Sequence, residues 1–425
     1  MTRIRWSSIL AALLLAGSMW FYVERLLVPY QVSSAAAHGE PRGNLSDLYP
    51  RWVGTRELLL HGRDPYSVDV TREIQAGYWG RPLDSSRTND PKDESRFAYP
   101  VYVVFLLAPT VSLPFPAIRI AASWILGILT ALSVPLWLRM LRWRTSYDTL
   151  AILLLLTLSS YSAVQGIKLQ QLSLLVCALM AASLVLLVDG RLVAAGALLA
   201  VATIKPQLAV LLAAWLTFWA INDWRERQRF FWSFLGAWLV LAGAGEYLLP
   251  GWIGRFIDAI AAYQHYAGTP TPLVALTTPA IGAVLEAGVL LGALAVCWRF
   301  RRAPASSMEF RLAVAVVLTA TLAIMPRLAP YNQLQCLPAV FLILQSWGSL
   351  WRRSKACRAV CAAAALFVLW PWIASLALAV ALIFLPPSAV QRAWAVPLWT
   401  SPAISIVLLG PLTFLVSSTP RQRLS

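Results

Sequence analysis

Apolar runs of roughly 18 residues or more, nearly free of charge, recur along this chain, and they leave few folds open. A soluble domain has no interior large enough for them, whereas a bilayer takes one such run per helix. The 425 residues are 59% hydrophobic and no polar stretch outruns a single loop, so no soluble domain is appended. The chain reads as an all-α polytopic integral membrane protein, a single membrane-embedded domain over residues 1–425.

Charge supports the same class. The net charge is +16, but Lys and Arg collect in cytoplasmic loops of membrane proteins, so the excess points to topology and not to nucleic acid. Arg225-Glu-Arg-Gln-Arg229, Arg299-Phe-Arg-Arg302 and Arg352-Arg-Ser-Lys355 fit short cytoplasmic loops in contact with anionic headgroups. The five cysteines lie in or beside apolar runs, and the three histidines are scattered. Neither a disulfide framework nor a zinc spacing is present, and no cofactor or metal is expected.

The start, MTRIRWSSILAALLLAG, has the basic and apolar parts of a signal peptide, with Ala35-Ala36-Ala37 as a conceivable cleavage site. The apolar stretch runs on to Val28 and many spans follow, which favours an uncleaved first helix, Trp6–Tyr30. Further spans are expected at Ile118–Trp137, Leu150–Val164, Leu172–Val188, Arg191–Ile221, Phe230–Leu249, Ile281–Trp298, Leu312–Met325, Cys336–Trp347, Val360–Phe384 and Leu398–Val416. In all, about 12 transmembrane helices are expected. Two segments are ambiguous. Tyr99–Pro114 either crosses or forms a re-entrant hairpin broken at Pro109. Arg191–Ile221 is either one helix kinked at Pro206 or two helices turning at Ile204–Gln207. A re-entrant first segment with a paired second puts Arg139–Arg144 inside, as charge bias favours, and Lys168 and Lys205 at the outer side.

The loop 31–96 holds ten of the nineteen acidic residues and nearly as many basic ones. This balance, with Arg3 and Arg5 inside, assigns it to the extracytoplasmic face. Within it Leu48, Tyr49, Trp52, Val53, Leu59 and Leu60 recur at helical spacing, with Arg51, Arg56 and Glu57 opposite. The pattern predicts an amphipathic helix on the outer membrane surface. Asp47 reads either as the N-cap of that helix, paired with Arg51, or as a carboxylate at the lipid–water boundary able to act as a general base. Asn44-Leu-Ser46 matches a glycosylation sequon.

An ordered set of motifs then carries a resemblance: an aspartate after the first helix, HGRDPY, FAYP leading to LAPTVSLPF, LQQLSLLVCALM, DGRLVAAGALLA, ATIKPQLAVLL and LAPYNQLQCLPAV. In this order they resemble the glycosyltransferase family 87 proteins, polytopic enzymes of the GT-C class, over roughly residues 5–420. The resemblance implies an inverting transfer of a mannose-like sugar from a polyprenyl-phosphate-linked donor to a lipid or glycan acceptor. The reaction would take place at the extracytoplasmic face of a bacterial cytoplasmic (inner) membrane. It implies Asp47 as the base, and it maps a Gly-Gln-x-Asn-like element onto Gln170-Gln171-Leu172-Ser173 and a Lys-Pro element onto Lys205-Pro206. Mannosyltransferases of the family often carry a late histidine motif, where this chain reads Pro326-Arg-Leu-Ala-Pro-Tyr-Asn332. Where that histidine serves mannose transfer, its absence implies another sugar or acceptor, or lost activity.

Lys168 and Lys205 stand out because the chain has only four lysines. An ammonium deep in an apolar run either snorkels, pairs with a structural carboxylate, or serves function. The functional role is neutralising the departing phosphate, shared with Arg327 on an outer loop. Tyr99, Gln171, Tyr331 and Asn332 are candidates for substrate contacts, with belt or packing roles as the alternative. Asp64 is a substrate-side carboxylate in reserve, or loop structure. Glu246 and Glu286 are membrane carboxylates, functional or paired with buried cations. The rival class is a transporter or flippase of a lipid-linked sugar, which repeated halves with matched broken helices would favour; no repeat is visible. A non-catalytic assembly protein on the same fold is a third possibility.

Overall fold

A computed structural model describes residues 6–84, 86–267, 270–326 and 329–419, and these are helical with no strand among them. Among the described residues six helices are long and apolar enough to cross a membrane: Trp6–Ala37, Phe115–Met140, Trp224–Leu248, Pro279–Arg299, Lys355–Phe384 and Pro387–Ser418. Two bent pairs, Tyr147–Leu158 with Tyr161–Lys168 and Pro330–Gln345 with Trp347–Arg353, raise the number to eight if each is one span. The count of about 12 is not reached on length and composition, because several apolar runs break into shorter helices: Leu172–Val188, Leu192–Ala202 and Pro206–Ile221.

The apolar surface confirms the membrane setting. On Phe115–Met140 the residues Ile120, Trp124, Ile125, Ile128 and Leu132 are exposed. Their spacing makes one face of the helix, and an apolar face without a protein partner belongs against lipid. Met308–Ile324 is the opposite case: nearly every residue from Phe310 to Ala323 is buried. It packs between Pro279–Arg299 and Ile404–Ser418, with Pro206–Ile221 also against it.

The structure bears on both ambiguous segments. Residues 99–114 form only a five-residue helix, Val103–Leu107, and a 3-10 turn through Pro109, too short to cross and in keeping with re-entry. Residues 191–221 are two helices that double back. The start of Leu192–Ala202 lies on the early part of Trp224–Leu248: the Val193 carbonyl accepts from Ser233 Oγ at 2.6 Å, and Gly196 abuts the backbone of Phe230 and Phe234. The end of Pro206–Ile221 lies there too, with Trp219 against Phe230 and its carbonyl accepting from Arg227 at 3.0 Å. A single kinked helix could not return both ends to one place. Pro206 makes the turn: it sits at the first helical position, and the proline ring bars the preceding Lys205 from helical geometry.

The helix ends consequently fall into two sets. At one end Arg139 pairs with Asp189 at 2.7 Å, Arg227 donates to the carbonyls of Arg301, Arg302 and Ala303, and Arg311 donates to that of Leu141. Arg139–Arg144 therefore joins the other arginine blocks. The opposite end carries the charged loop, Lys168 and Lys205.

The loop helix departs from expectation. Tyr49–His61 forms, ending at Gly62 with φ 64°, the left-handed geometry glycine adopts without steric cost. It does not lie on the membrane surface. Trp52, Val53, Gly54, Thr55, Glu57 and Leu58 are all buried, and Glu57, assigned to the polar face, accepts from Arg63 at 2.7 Å and contacts His61 at 3.0 Å. The helix is folded into the protein against Val68–Trp79 and the segment with Val103–Leu107. In the sequon, Ser46 is wholly buried and its N–H donates to Asn44 Oδ1 at 3.0 Å.

Candidate active site

Four chain breaks meet at the loop end, and each contributes a polar side chain. The first is the approach to Tyr49–His61. Leu48 occupies the N-cap position without a side-chain cap, so the capping role expected of Asp47 is not what holds it. Instead the Asp47 N–H donates to the Leu169 carbonyl at 2.8 Å, and its carboxylate accepts from Gln171 Nε2. Arg51 bonds the Asp47 backbone carbonyl at 3.0 Å, not the carboxylate. No Lys or Arg among the described residues is within ion-pairing distance of that carboxylate.

The second break is Gln170, whose φ of 49° is unusual for a residue with a side chain and costs roughly 1–3 kcal/mol. Its amide holds the turn, donating to Ser123 Oγ at 3.0 Å, the Ile167 carbonyl at 3.0 Å and the Lys168 carbonyl at 2.7 Å. The turn brings Gln171 onto Asp47. The third break supplies Lys205, which is buried. Its ammonium donates to Gln171 Oε1 at 3.2 Å, to Ser173 Oγ, and to Asn332 Oδ1 at the long distance of 3.5 Å. It also lies 5.0 Å from the centre of the Tyr331 ring. The fourth break is the 3-10 segment Pro330–Cys336, which buries Asn332 and lets its Oδ1 accept from Ser173 Oγ at 2.8 Å. Backbone interrupted at membrane depth is tolerated where it lines protein or a cavity.

Gln171 is the bridge, with one end of its amide on the carboxylate and the other on the ammonium. Charge burial costs several kcal/mol per ion, and charge-assisted hydrogen bonds of ~1.5–3 kcal/mol each offset it. Burial raises the Asp47 carboxyl above its ordinary range; Arg51, the Gln171 bond and Lys205 oppose that rise, and Asp93 adds to it. A carboxylate so placed is a stronger base than one in water.

The structure thus joins Asp47, Gln171, Lys205, Tyr331 and Asn332 in one cluster. Tyr99 borders it through Arg51, whose guanidinium lies 4.6 Å from the ring centre. Other candidates are engaged elsewhere. Lys168 pairs with Glu24. Asp64 pairs with Arg255 at 2.8 Å and caps Tyr66 N–H at 2.9 Å, tying the loop to the helix Trp252–Ala267. Glu246 accepts from the Gly251 N–H at 2.6 Å, and Glu286 from the Thr271 hydroxyl. Arg327 lies outside the described residues.

Sequence reasoning missed three neighbours. Ser173 lay inside a quoted motif but was not singled out. Arg51 was read as a helix-face residue and as a pairing partner of Asp47, not as a site residue. Tyr263 is near enough to Arg51, Tyr99 and Tyr331 to act on their charges. Its signal was available: Trp252, Phe256, Ala259 and Tyr263 share one helical face.

No curated protein and no solved structure matches the chain. The family model of glycosyltransferase family 87 matches residues 97–326, more than half of the sequence. That span contains Gln171, Ser173 and Lys205 together with the membrane helices around them, and the chain is a member of glycosyltransferase family 87, a family of membrane glycosyltransferases.

Proposed function

We propose that the chain transfers a mannose-like sugar from a polyprenyl-phosphate-linked donor to a hydroxyl of a lipid or glycan acceptor, inverting the anomeric carbon. The observation that carries this reading is the Asp47–Gln171–Lys205 bridge, a half-buried base fixed in orientation beside a buried cation. In the reaction the Asp47 carboxylate takes the proton of the acceptor hydroxyl while that oxygen forms a bond to the anomeric carbon. The bond from that carbon to the phosphate oxygen breaks, and its electron pair leaves with the polyprenyl phosphate. The growing phosphate charge is met by positive charge held in place beforehand. Lys205 adds positive charge to that field without giving up its bonds to Gln171, Ser173 and Asn332; Lys168, engaged by Glu24, takes no part. Tyr99, Tyr331 and Asn332 are suited to hydrogen-bond sugar hydroxyls, and Asp64 acts one step away, through the loop.

An apolar groove of about 210 Å³ lies on the other side of the 3-10 segment, lined by Leu153, Leu156, Val340, Leu344, Val368 and Trp372 among others, with Gln333 and Ser401 at its polar part. It gives a lipid tail a bed next to the cluster. The arginine-lined end suits the cytoplasm, which supports an extracytoplasmic site; the bacterial inner membrane is what the family resemblance implies.

The test is transfer of radiolabelled mannose from polyprenyl-phosphate mannose, by the full chain in membranes, to a lipid acceptor fraction. Transfer from this donor but not from a nucleotide sugar supports the reading. Transfer from the nucleotide sugar alone refutes the donor class, and movement of a lipid-linked sugar across proteoliposomes without transfer would establish the transporter reading instead.

A further inference from the structure

The reaction above leaves the guanidinium of Arg51 without a task, although it is built into the same cluster. Arg51 stands on the first turn of Tyr49–His61, four residues beyond Asp47. One Nη1–H goes to the Asp47 carbonyl at 3.0 Å, and the guanidinium carbon lies 4.6 Å from the centre of the Tyr99 ring. Its Nε is buried with no hydrogen-bond partner. No Asp or Glu among the described residues forms an ion pair with it, whereas Arg63, Arg81, Arg96, Arg139, Arg227 and Arg255 each have a carboxylate.

Lys205 differs. Its three N–H groups already have three acceptors: Gln171, Ser173 and Asn332. An anion could recruit it only by displacing one of them, and displacing Gln171 would loosen Asp47. Arg51 needs no such exchange. A guanidinium stays charged at any working pH and presents donors in a planar fork that matches a phosphate. The bond to the Asp47 carbonyl and the neighbouring Tyr99 ring hold that fork in place.

We propose that Arg51 is the phosphate-binding residue of the site, gripping the phosphate monoester of the departing lipid, while Lys205 is a positioning residue that acts on Asp47 through Gln171. This rests on the reading that the leaving group is a lipid phosphate. The proton and electron pair move as described above; Arg51 adds only charge and two directed hydrogen bonds.

Farnesyl phosphate and farnesol, which share a tail and differ in the phosphate, separate the roles. Binding of each to the full chain in nanodiscs is measured for wild type, Arg51→Gln, Arg51→Lys and Lys205→Met. The wild type is expected to prefer farnesyl phosphate, and Arg51→Gln to lose on the order of 10–100-fold of that affinity while farnesol binding, which reports an intact fold, is unchanged. Arg51→Lys is expected to fall between, keeping charge but losing the fork. Lys205→Met is expected to keep most of the preference. A preference surviving in Arg51→Gln, or lost in Lys205→Met alone, overturns the assignment. A wild type with no preference overturns it together with the lipid-phosphate reading, and that result is distinct because it precedes any substitution.

Discussion

Replacing Asp47 by asparagine tests the chemistry and the electrostatics in one variant. Asparagine keeps the size of the side chain and an oxygen able to accept the Gln171 Nε2–H bond that Asp47 now accepts, so the lost packing is small. The lost chemistry is not: a missing general base typically costs about 10²–10⁴-fold in rate. Stability is expected to move the other way. The folded-state pKa of Asp47 is raised, chiefly by burial. A carboxyl with a raised folded pKa contributes stability that is full below its unfolded pKa and is lost as pH rises through the folded pKa. At pH 7 the ionised wild type has therefore lost that contribution, and each unit of the rise costs about 1.4 kcal/mol. Asparagine carries no charge to bury. The variant should be at least as stable as wild type at neutral pH, with the gap closing on acidification.

The five described cysteines are free and buried, so a thiol-reactive dye that fluoresces on unfolding reads thermal stability directly, alongside radiolabel transfer. Inactivity with an unchanged or raised Tm is the expected pair. Transfer within tenfold of wild type would refute the base, and a Tm lowered by several degrees would mean that the carboxylate is structural.

Further expectations follow from the same geometry. The pH–rate profile should show an acid limb above the ordinary carboxylate range of about 4, with transfer falling as Asp47 is protonated; a limb at or below that range would contradict the raised pKa. Lys205→Met should cost about 1–3 kcal/mol of stability, because Gln171 Oε1 loses its donor in a buried setting, and should slow transfer more than it weakens donor binding, a split visible in kcat against KM. Gln171→Leu should lower kcat at least tenfold and leave donor KM nearly constant, since it frees Asp47 without touching the phosphate. Lys168→Met should change Tm by no more than about 1 kcal/mol equivalent, the range of a half-exposed ion pair such as Lys168–Glu24, and should leave transfer near wild type; a large loss there would return Lys168 to the phosphate.

The class of fold was legible because lipid imposes a coarse code: apolar runs are helices, and arginine blocks mark one side. Where the code is not length but backbone, it was read less fully. Pro206 in an apolar run signalled an interruption, and the structure turns it into a reversal. Asp47 was legible as important but not for the reason local rules give. Local spacing offered a helix cap and an Arg51 pair at four residues, and tertiary contacts with Leu169 and Gln171 won instead. Glu57 was misread for a similar reason. A helix with polar and apolar faces looks surface-bound until the residues 97–110 that cover it are known to fold back. Tyr263 lay outside any motif, and only the meeting of its helix with the loop gives it a place.

The cluster also explains why so apolar a chain interrupts its helices where it does. Asp47, Gln171, Lys205 and Asn332 each flank or occupy a break, and three of those breaks are made by features that cannot relax into a regular helix: Pro206, Pro330 and the left-handed Gln170. A continuous helix would bond its own backbone and turn such side chains toward lipid, where an ammonium has no acceptor. Broken helices turn them inward, toward each other, and their mutual hydrogen bonds lower the cost of burying them. The amide of Gln171 then performs a task no charged residue could. A carboxylate there would tie up Lys205, a cation would tie up Asp47, and only a neutral group with a donor at one end and an acceptor at the other orients both while leaving their charges free for the reaction.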